Sequence, residues 1–319
     1  MLALENEWIW DSWYLNDGDK WHCWFLKSPK SIDPKLRHFN VNHGHATSKD
    51  LINWVYHGTV YTPADKPSWD DYAIWTGSTL RGGDGKWHYF YTGTRRSEEG
   101  KIQRIGHAVS KDLKNWKRVE NGMCLELTGP NAQLYETDWE RRWHDQAMRD
   151  PWVIRDPDGD GWLMFFTARV SEQRQTNDAG CIGFATSPDL YSWELQPPVF
   201  IGGWGELEVP QVFELEGNWY CLFSMSSKYQ AEWNIAKNGK SGRGSHYLMA
   251  DNPCGPWHLP PGPALDTKIN RYSARIVNWD GLKILGFKDG EEINKFGGFI
   301  MDPDPVRINA NKTLTLEII

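Results

Sequence analysis

Hydrophobic positions along this chain come in short runs rather than long stripes, and a polar turn precedes five of those runs. The copies are Gly18-Asp19-Lys20-Trp21-His22-Cys23-Trp24, Asp84-Gly85-Lys86-Trp87-His88-Tyr89-Phe90, Asp158-Gly159-Asp160-Gly161-Trp162-Leu163-Met164-Phe165, Glu216-Gly217-Asn218-Trp219-Tyr220-Cys221-Leu222 and Trp279-Asp280-Gly281-Leu282-Lys283-Ile284-Leu285. Each predicts the tight turn of a β-hairpin and its return strand, because Gly, Asp and Asn accept the backbone angles that such a turn requires. The runs start at 21, 87, 162, 219 and 282, in steps of about 66, 75, 57 and 63 residues. That spacing suits four strands with long loops. A second element follows the first four turns: His45-Ala46-Thr47-Ser48-Lys49-Asp50-Leu51-Ile52-Asn53-Trp54, its counterparts at 107–116 and 184–193, and a degenerate copy at 247–257.

Five such units predict an all-β fold, a five-bladed β-propeller with four-stranded antiparallel blades around a central funnel, in one domain over residues 1–319. No apolar pattern of period 3.6 persists for three turns, and Tyr135 to Asp145 is too charged for a core helix, so helix is expected to be minor. Long loops are expected at about 121–148 and 228–246. The Trp that closes each second element (Trp54, Trp116, Trp193, Trp257) reads as structural, packing between sheets, with a sugar platform as the alternative.

Composition narrows the function. Of 319 residues 39% are hydrophobic and 14% aromatic, with 20 Trp against 12 Phe and 12 Tyr, which excludes disorder. Mean hydropathy is −0.64 and no long apolar run occurs, so no membrane association is expected. A net charge of −7 without a basic stripe argues against a nucleic-acid partner and leaves a small neutral ligand. Five scattered Cys make neither a disulfide framework nor a zinc site, and the first residues carry no basic and apolar leader, so a cytoplasmic location is expected. No cofactor or metal is called for by any motif, and oligomeric state is not readable.

If each turn follows an innermost strand, residues about 10 to 12 places upstream of the runs lie at the funnel. Those positions are Asp11, Thr76, Asp150, Glu208 and Tyr272, three of them carboxylates. A lone acid in a strand such as Trp8-Ile9-Trp10-Asp11-Ser12-Trp13 is costly to bury without a partner or a task. Period-two spacing places Glu206 and Glu208 on one strand face. Pairing with Arg149 or Arg155, purely to hold the funnel together, is the competing reading for any one acid; three in phase favour chemistry.

The segments Trp10-Asp11-Ser12-Trp13, Trp75-Thr76-Gly77-Ser78, Arg149-Asp150-Pro151 and Glu206-Leu207-Glu208, followed by Tyr272-Ser273, resemble the ordered motifs of the levansucrases, glycoside hydrolase family 68, and of the related family 32 invertases. The resemblance implies a five-bladed propeller acting on β-fructofuranosides with retention. It implies Asp11 as nucleophile, Glu208 as general acid/base and Asp150 as the acid that stabilises the transition state. Arg149 and Glu206 would bind fructosyl hydroxyls, Trp10 and Trp75 would wall the pocket, and Thr76 and Tyr272 would join them as substrate-binding residues. Retention requires one carboxylate to attack and a second to protonate the leaving oxygen, about 5–5.5 Å apart. Glu208 would need a raised pKa and Asp11 an ordinary one, a difference left to the joint setting of the nearby Arg149 and the apolar Leu207 and Val209.

Three departures stand out. The Arg that follows the acid/base strand in levansucrases has only Lys228 and, further on, Arg243 as counterparts; Thr76 replaces the usual Ser; and the Asn-Asp-Pro-Asn-Gly signature of invertases is absent. Asp156-Pro157-Asp158-Gly159-Asp160-Gly161 reads as a hairpin turn in preference to a calcium loop, because an apolar strand starts at Trp162. His43-Gly44-His45 lacks a third metal ligand. The charged stretch Glu136 to Asp145 is a solvated loop or, since it leads into Arg149-Asp150, part of a substrate entrance. Two alternatives stay open: an inverting arabinofuranosidase or xylosidase, whose carboxylates would be about 6.5–9.5 Å apart, and a sugar-binding propeller without catalysis.

Overall fold

The computed structural model describes residues 1–65, 67–138, 143–172, 174–290 and 296–317, and it sets the predicted units as five antiparallel sheets in a ring. Blade one is β1 (Glu7–Asn16), β2 (Trp21–Pro29), β3 (Asn42–Ser48) and β4 (Val55–Tyr61). Blade two is β5 (Ala73–Arg81), β6 (Trp87–Thr94), β7 (Gln103–Ser110) and β8 (Lys117–Leu125). Blade three is β9 (Met148–Arg155), β10 (Trp162–Arg169), β11 (Gly180–Ser187) and β12 (Glu194–Ile201). Blade four is β13 (Glu208–Leu215), β14 (Asn218–Met225) and β15 (Gly244–Ala250), and blade five is β16 (Arg271–Asn278), β17 (Leu282–Lys288), β18 (Asp304–Ile308) and β19 (Leu314–Leu316). Every predicted turn joins the first and second strands of its blade, including Asp156–Gly161 between β9 and β10.

Blade four departs from the four-strand expectation. Its outer position is held by two isolated antiparallel bridges, one between Ser245 and Asp266 and one in which Met249 and His258 exchange backbone hydrogen bonds of 2.9 Å. Pro253, Pro256, Pro260 and Pro261 surround the second bridge, and a residue without an N–H cannot extend a ladder. The long loops are also shorter than expected. Strand β8 runs on to Leu125, and the second loop contains the short helix α1 (Glu232–Asn238) and ends where β15 begins at Gly244.

The second repeated element is the third strand and the turn beyond it. In blade one Asp50 accepts from the amides of Ile52 and Asn53 at 2.9 and 2.7 Å, which lets Leu51 take a left-handed backbone (φ 63°) and bury its side chain. Asp112 with Leu113 and Asp189 with Leu190 repeat the device. The closing Trp residues pack as structural groups: Trp116 lies 4.6 Å from the Tyr89 ring and Trp193 5.5 Å from Phe90. Buried apolar clusters fill the gaps between neighbouring blades, led by Trp13, Trp24 and Tyr89 between blades one and two and by Phe165, Trp204 and Phe223 between three and four. At the seam Leu2 exchanges backbone hydrogen bonds of 3.0 and 2.9 Å with Ile300, tying the start of the chain to blade five.

Candidate active site

A regular strand sends only one of two consecutive side chains to a given face. All five inner strands break that rule at the same level. Their pairing slips between Ile9 and Ser12 in β1, Trp75 and Gly77 in β5, the partners Phe165 and Thr167 opposite β9, Glu208 and Gln211 in β13, and Tyr272 and Arg275 in β16. A bulge of this kind re-aims side chains. Here it turns the consecutive pairs Trp10-Asp11, Trp75-Thr76, Arg149-Asp150, Glu208-Val209 and Tyr272-Ser273 into one cavity of about 380 Å³.

The bulges strain the backbone. Asp150, Val209 and Ser273 sit at φ 59°, 54° and 48°, a region that disfavours side chains by roughly 1–3 kcal/mol each. Neighbouring strands offset this by capturing the freed backbone groups. The buried Arg275 donates to the carbonyls of Val209 and Pro210 at 2.8 and 2.7 Å, and the Asp150 amide donates to Thr92 Oγ1 at 2.8 Å. In β5 the following residue is Gly77, where a Cβ would overlap the Phe90 carbonyl oxygen.

Asp11 is held by hydroxyls. Thr76 donates to its Oδ2 at 2.5 Å and Ser273 to its Oδ1 at 2.7 Å, and no basic group lies within ion-pair distance among the described residues. Both carboxylate oxygens are thus oriented by hydroxyls, and the cations Arg37 and Arg275 act on the group only from a distance. Asp150 is 3% exposed; its Oδ2 accepts from Thr167 and from the Val209 amide, both at 3.0 Å, and burial pushes its carboxyl up to about 7 against the pull of Arg149. Glu208 accepts from the Tyr272 hydroxyl and, at 3.2 Å, from Arg149, which also reaches Glu206 at 2.7 Å. Burial, with Glu208 alongside, holds the Glu206 carboxyl above its ordinary value, and Arg149 and Arg169 offset part of that rise.

All nine residues singled out from the sequence line this cavity. Glu206 gets there by a route other than the expected one. Strand β13 begins at Glu208, and Glu206 reaches in from the segment ahead of it, past a fully buried Leu207. The structure adds Arg37, His38 and Phe39 from the 3₁₀ turn Pro34–Phe39, with Gln103, Asp145, Arg243 and Ser273. Arg243 lies 4.1 Å over the Tyr272 ring and is ion-paired with Asp289 at 2.5 Å, so of the two cations weighed for the leaving-group side it is Arg243, and not Lys228, that lines the cavity. Asp145 brings the end of the charged stretch into the site; residues 139–142 of that stretch lie outside the described residues. His43 and His45 are buried between blades one and two, His43 against the Tyr89 hydroxyl at 2.7 Å and His45 against His22 at 2.9 Å. A signal for Arg169 was present in the repeat: seven places into the run the other blades carry Ser28, Thr94, Ser226 and Asp289, and blade three alone carries a cation.

With this geometry in view, residues 11–252 match the model of the glycosyl hydrolases family 32 N-terminal domain. The chain belongs to that family. Its membership makes this propeller a glycosyl hydrolase fold with an enzyme's site. An extracellular sucrase of Zymomonas mobilis is 26% identical over 99% of this chain and 86% of its own length, and an invertase of Wickerhamomyces anomalus is 27% identical over 67% and 36%. Among solved structures, an inulosucrase from Halalkalicoccus jeotgali bound to kestose superposes with a TM-score of 0.80 at 21% identity, covering 99% of this chain and 90% of that one. Bacillus subtilis levansucrase gives 0.75 at 17%, covering 98% and 86%, and these likenesses show the shared fold. No helix among the described residues is long and apolar enough to cross a membrane, and all five cysteines are unpaired.

Proposed function

We propose that this family 32 member is a single-domain retaining glycosidase or fructosyltransferase for β-fructofuranosides such as sucrose or fructo-oligosaccharides. Asp11 attacks the anomeric carbon, Glu208 gives its proton to the leaving oxygen, and the C–O bond to the leaving sugar breaks as the fructosyl–Asp11 bond forms. Glu208, now a carboxylate, takes a proton from water or from an acceptor sugar hydroxyl, which displaces Asp11 with a second inversion. Asp150, whose carboxyl burial raises to about 7, holds a fructosyl hydroxyl; Arg149 and Glu206 bind others, and Trp10, Trp75, Thr76 and Tyr272 shape the walls.

One observation supports this reading above the rest. Tyr272 and Ser273 are consecutive, yet the bulge in β16 aims both inward, so that one holds Glu208 and the other Asp11. Two acids tethered to neighbouring residues suit the short spacing of a retaining pair better than the wider gap of an inverting one. The named activities of the sucrase, invertase and levansucrase relatives point to the same substrate class.

The test is incubation with sucrose in aqueous methanol, with glucose, fructose and methyl fructofuranoside measured separately. Glucose with a β-configured methyl fructoside is the expected result. An α-configured product means inversion, and no cleavage of any fructoside overturns the assignment. For location, the unpaired cysteines suit a reducing compartment, in contrast to the extracellular relative; cell fractionation decides.

A further inference from the structure

At one wall of the cavity five side chains close a ring, four of them lining it and the fifth, Arg169, behind. Arg149 donates to Gln103 Oε1 at 3.4 Å, Gln103 to Asp145 Oδ2 at 2.9 Å, Arg169 to the other Asp145 oxygen and, at 3.2 Å, to Glu206 Oε1, and Arg149 completes the circuit to that same Glu206 oxygen at 2.7 Å. The ring joins β7 of blade two, β9 and β10 of blade three and the segment ahead of β13. Arg169 stands outside the cavity lining and is only 1% exposed. Besides the ring contacts it donates to the Asp145 carbonyl at 2.8 Å, lies 4.0 Å from Glu136 and rests 5.1 Å from the centre of the Trp143 ring. A guanidinium withdrawn from water this completely is retained where its planar fork satisfies several acceptors at once.

We propose that Arg169 is a positioning residue for the acid/base: by holding Glu206 as a carboxylate it keeps Arg149 divided between Glu206 and Glu208, and so lets Glu208 carry the proton it must deliver. This rests on the reading of Glu208 as the acid. The groups facing Glu206 are Arg149, Arg169, Glu208, Tyr229 and Tyr272; those facing Glu208 are Arg149, Tyr272, Tyr229, Arg243, Glu206 and Asp150. With Arg169 gone, Glu206 takes up a proton in its buried setting. Arg149 then serves Glu208 alone, which favours the carboxylate over the acid. Cleavage of sucrose suffers, because the departing oxygen needs a proton. Cleavage of β-fructofuranosyl fluoride is spared, because the C–F bond breaks to release fluoride with no proton delivered.

The experiment compares the unmodified protein, Arg169→Met and Arg169→Lys on both substrates across pH, and follows Glu206 by carbon NMR of protein labelled at the Glu carboxyl carbon, assigned with Glu206→Gln. In Arg169→Met, kcat/KM for sucrose should fall by about 100-fold and for the fluoride by less than about fivefold, with the alkaline limb of the sucrose profile at lower pH. Arg169→Lys keeps the charge without the fork and should fall in between; it carries the test if the methionine variant does not fold. The Glu206 signal should titrate at higher pH in Arg169→Met. Equal losses on both substrates, or unchanged activity, overturn the proposal. If the unmodified protein cleaves neither substrate the fructosidase reading fails, and the Glu206 titration still decides the ring: a signal that does not move overturns it.

Discussion

The two walls of the cavity hold their carboxylates by opposite means. On the side of blades one, two and five, Asp11 is oriented by the hydroxyls of Thr76 and Ser273 among tryptophans. On the side of blades three and four, Asp150, Glu206 and Glu208 are gathered around Arg149, with Arg169 behind. A hydroxyl fixes the direction of a carboxylate without cancelling its charge, whereas a guanidinium does both. The first arrangement suits a group that must attack as an anion. The second suits groups whose protonation must be divided unevenly among close neighbours.

The largest expected effect tests that division directly. Asp11→Asn should lower sucrose turnover by at least about 10⁴-fold with the melting temperature within a few degrees of the parent, because only the attacking anion is lost. A variant that keeps full activity, measured by glucose release, removes Asp11 from the mechanism. Glu208→Gln should lose about 10²–10⁴-fold on sucrose and far less on the fructosyl fluoride, so the two walls are told apart by leaving-group dependence.

Smaller changes sharpen the comparison. Thr76→Val and Ser273→Ala should each lower kcat by about tenfold, since a hydrogen bond to a charged group is worth about 1.5–3 kcal/mol. Because both act on one carboxylate, the double variant should lose less than the product of the two, and a fully multiplicative loss would show that they act on separate groups.

Stability should respond to pH with opposite signs in the two regions. The Asp150 carboxyl is raised by burial to about 7, above its ordinary value near 3.8, so the folded state holds the extra proton and stability falls as pH rises through that window. Asp150→Asn should therefore flatten the decline in urea midpoint between about pH 4 and 7 while abolishing activity. In blades one and two, Asp17, His22 and His45 form a chain with links of 2.9 Å that runs from an exposed turn to buried imidazoles, and Asp84, His88 and His107 repeat it at 3.0 and 2.9 Å. Burial lowers His45 and His107 to about 3, far below the ordinary value near 6.5, so these histidines favour the fold above that value and oppose it as pH falls toward 3. Exchange of His107 for Gln should lessen the acid-side loss of stability by a small amount, read as a shallower slope of urea midpoint against pH below about 6.

Much of the site is legible in the sequence, because position within a repeat is a spatial statement. Counting back from five turns reached Asp11, Thr76, Asp150, Glu208 and Tyr272, and all five line one cavity. Counting failed where a residue enters from outside the repeat. Arg37, His38 and Phe39 arrive from a 3₁₀ turn between β2 and β3, Asp145 from the segment before β9, and Arg243 from the end of the loop that holds α1. Nothing in the local pattern of Arg37, His38 and Phe39 marks them as neighbours of the funnel; Asp145 is suggested only by the chain leading into Arg149-Asp150, and Arg243 only by the resemblance. Blade four departs for a different reason: its closing Trp257 resembles the other copies, while the prolines around it remove the donors that a fourth strand needs.

Chain order and local chemistry alone determine the number of blades, the hairpin that opens each, and which inner-strand positions carry acids, since a turn signal and a period of two are properties of a few adjacent residues. They cannot say which way a bulge turns two consecutive side chains, because that depends on which neighbouring strand captures the carbonyls set free. Arg275 supplies the capture for β13, 65 or 66 residues away in the chain. Closure of the ring brings Arg149, Gln103, Asp145, Arg169 and Glu206 together from three blades. Whether an acid keeps its proton is then settled by burial and by charges that meet only once the blades have closed.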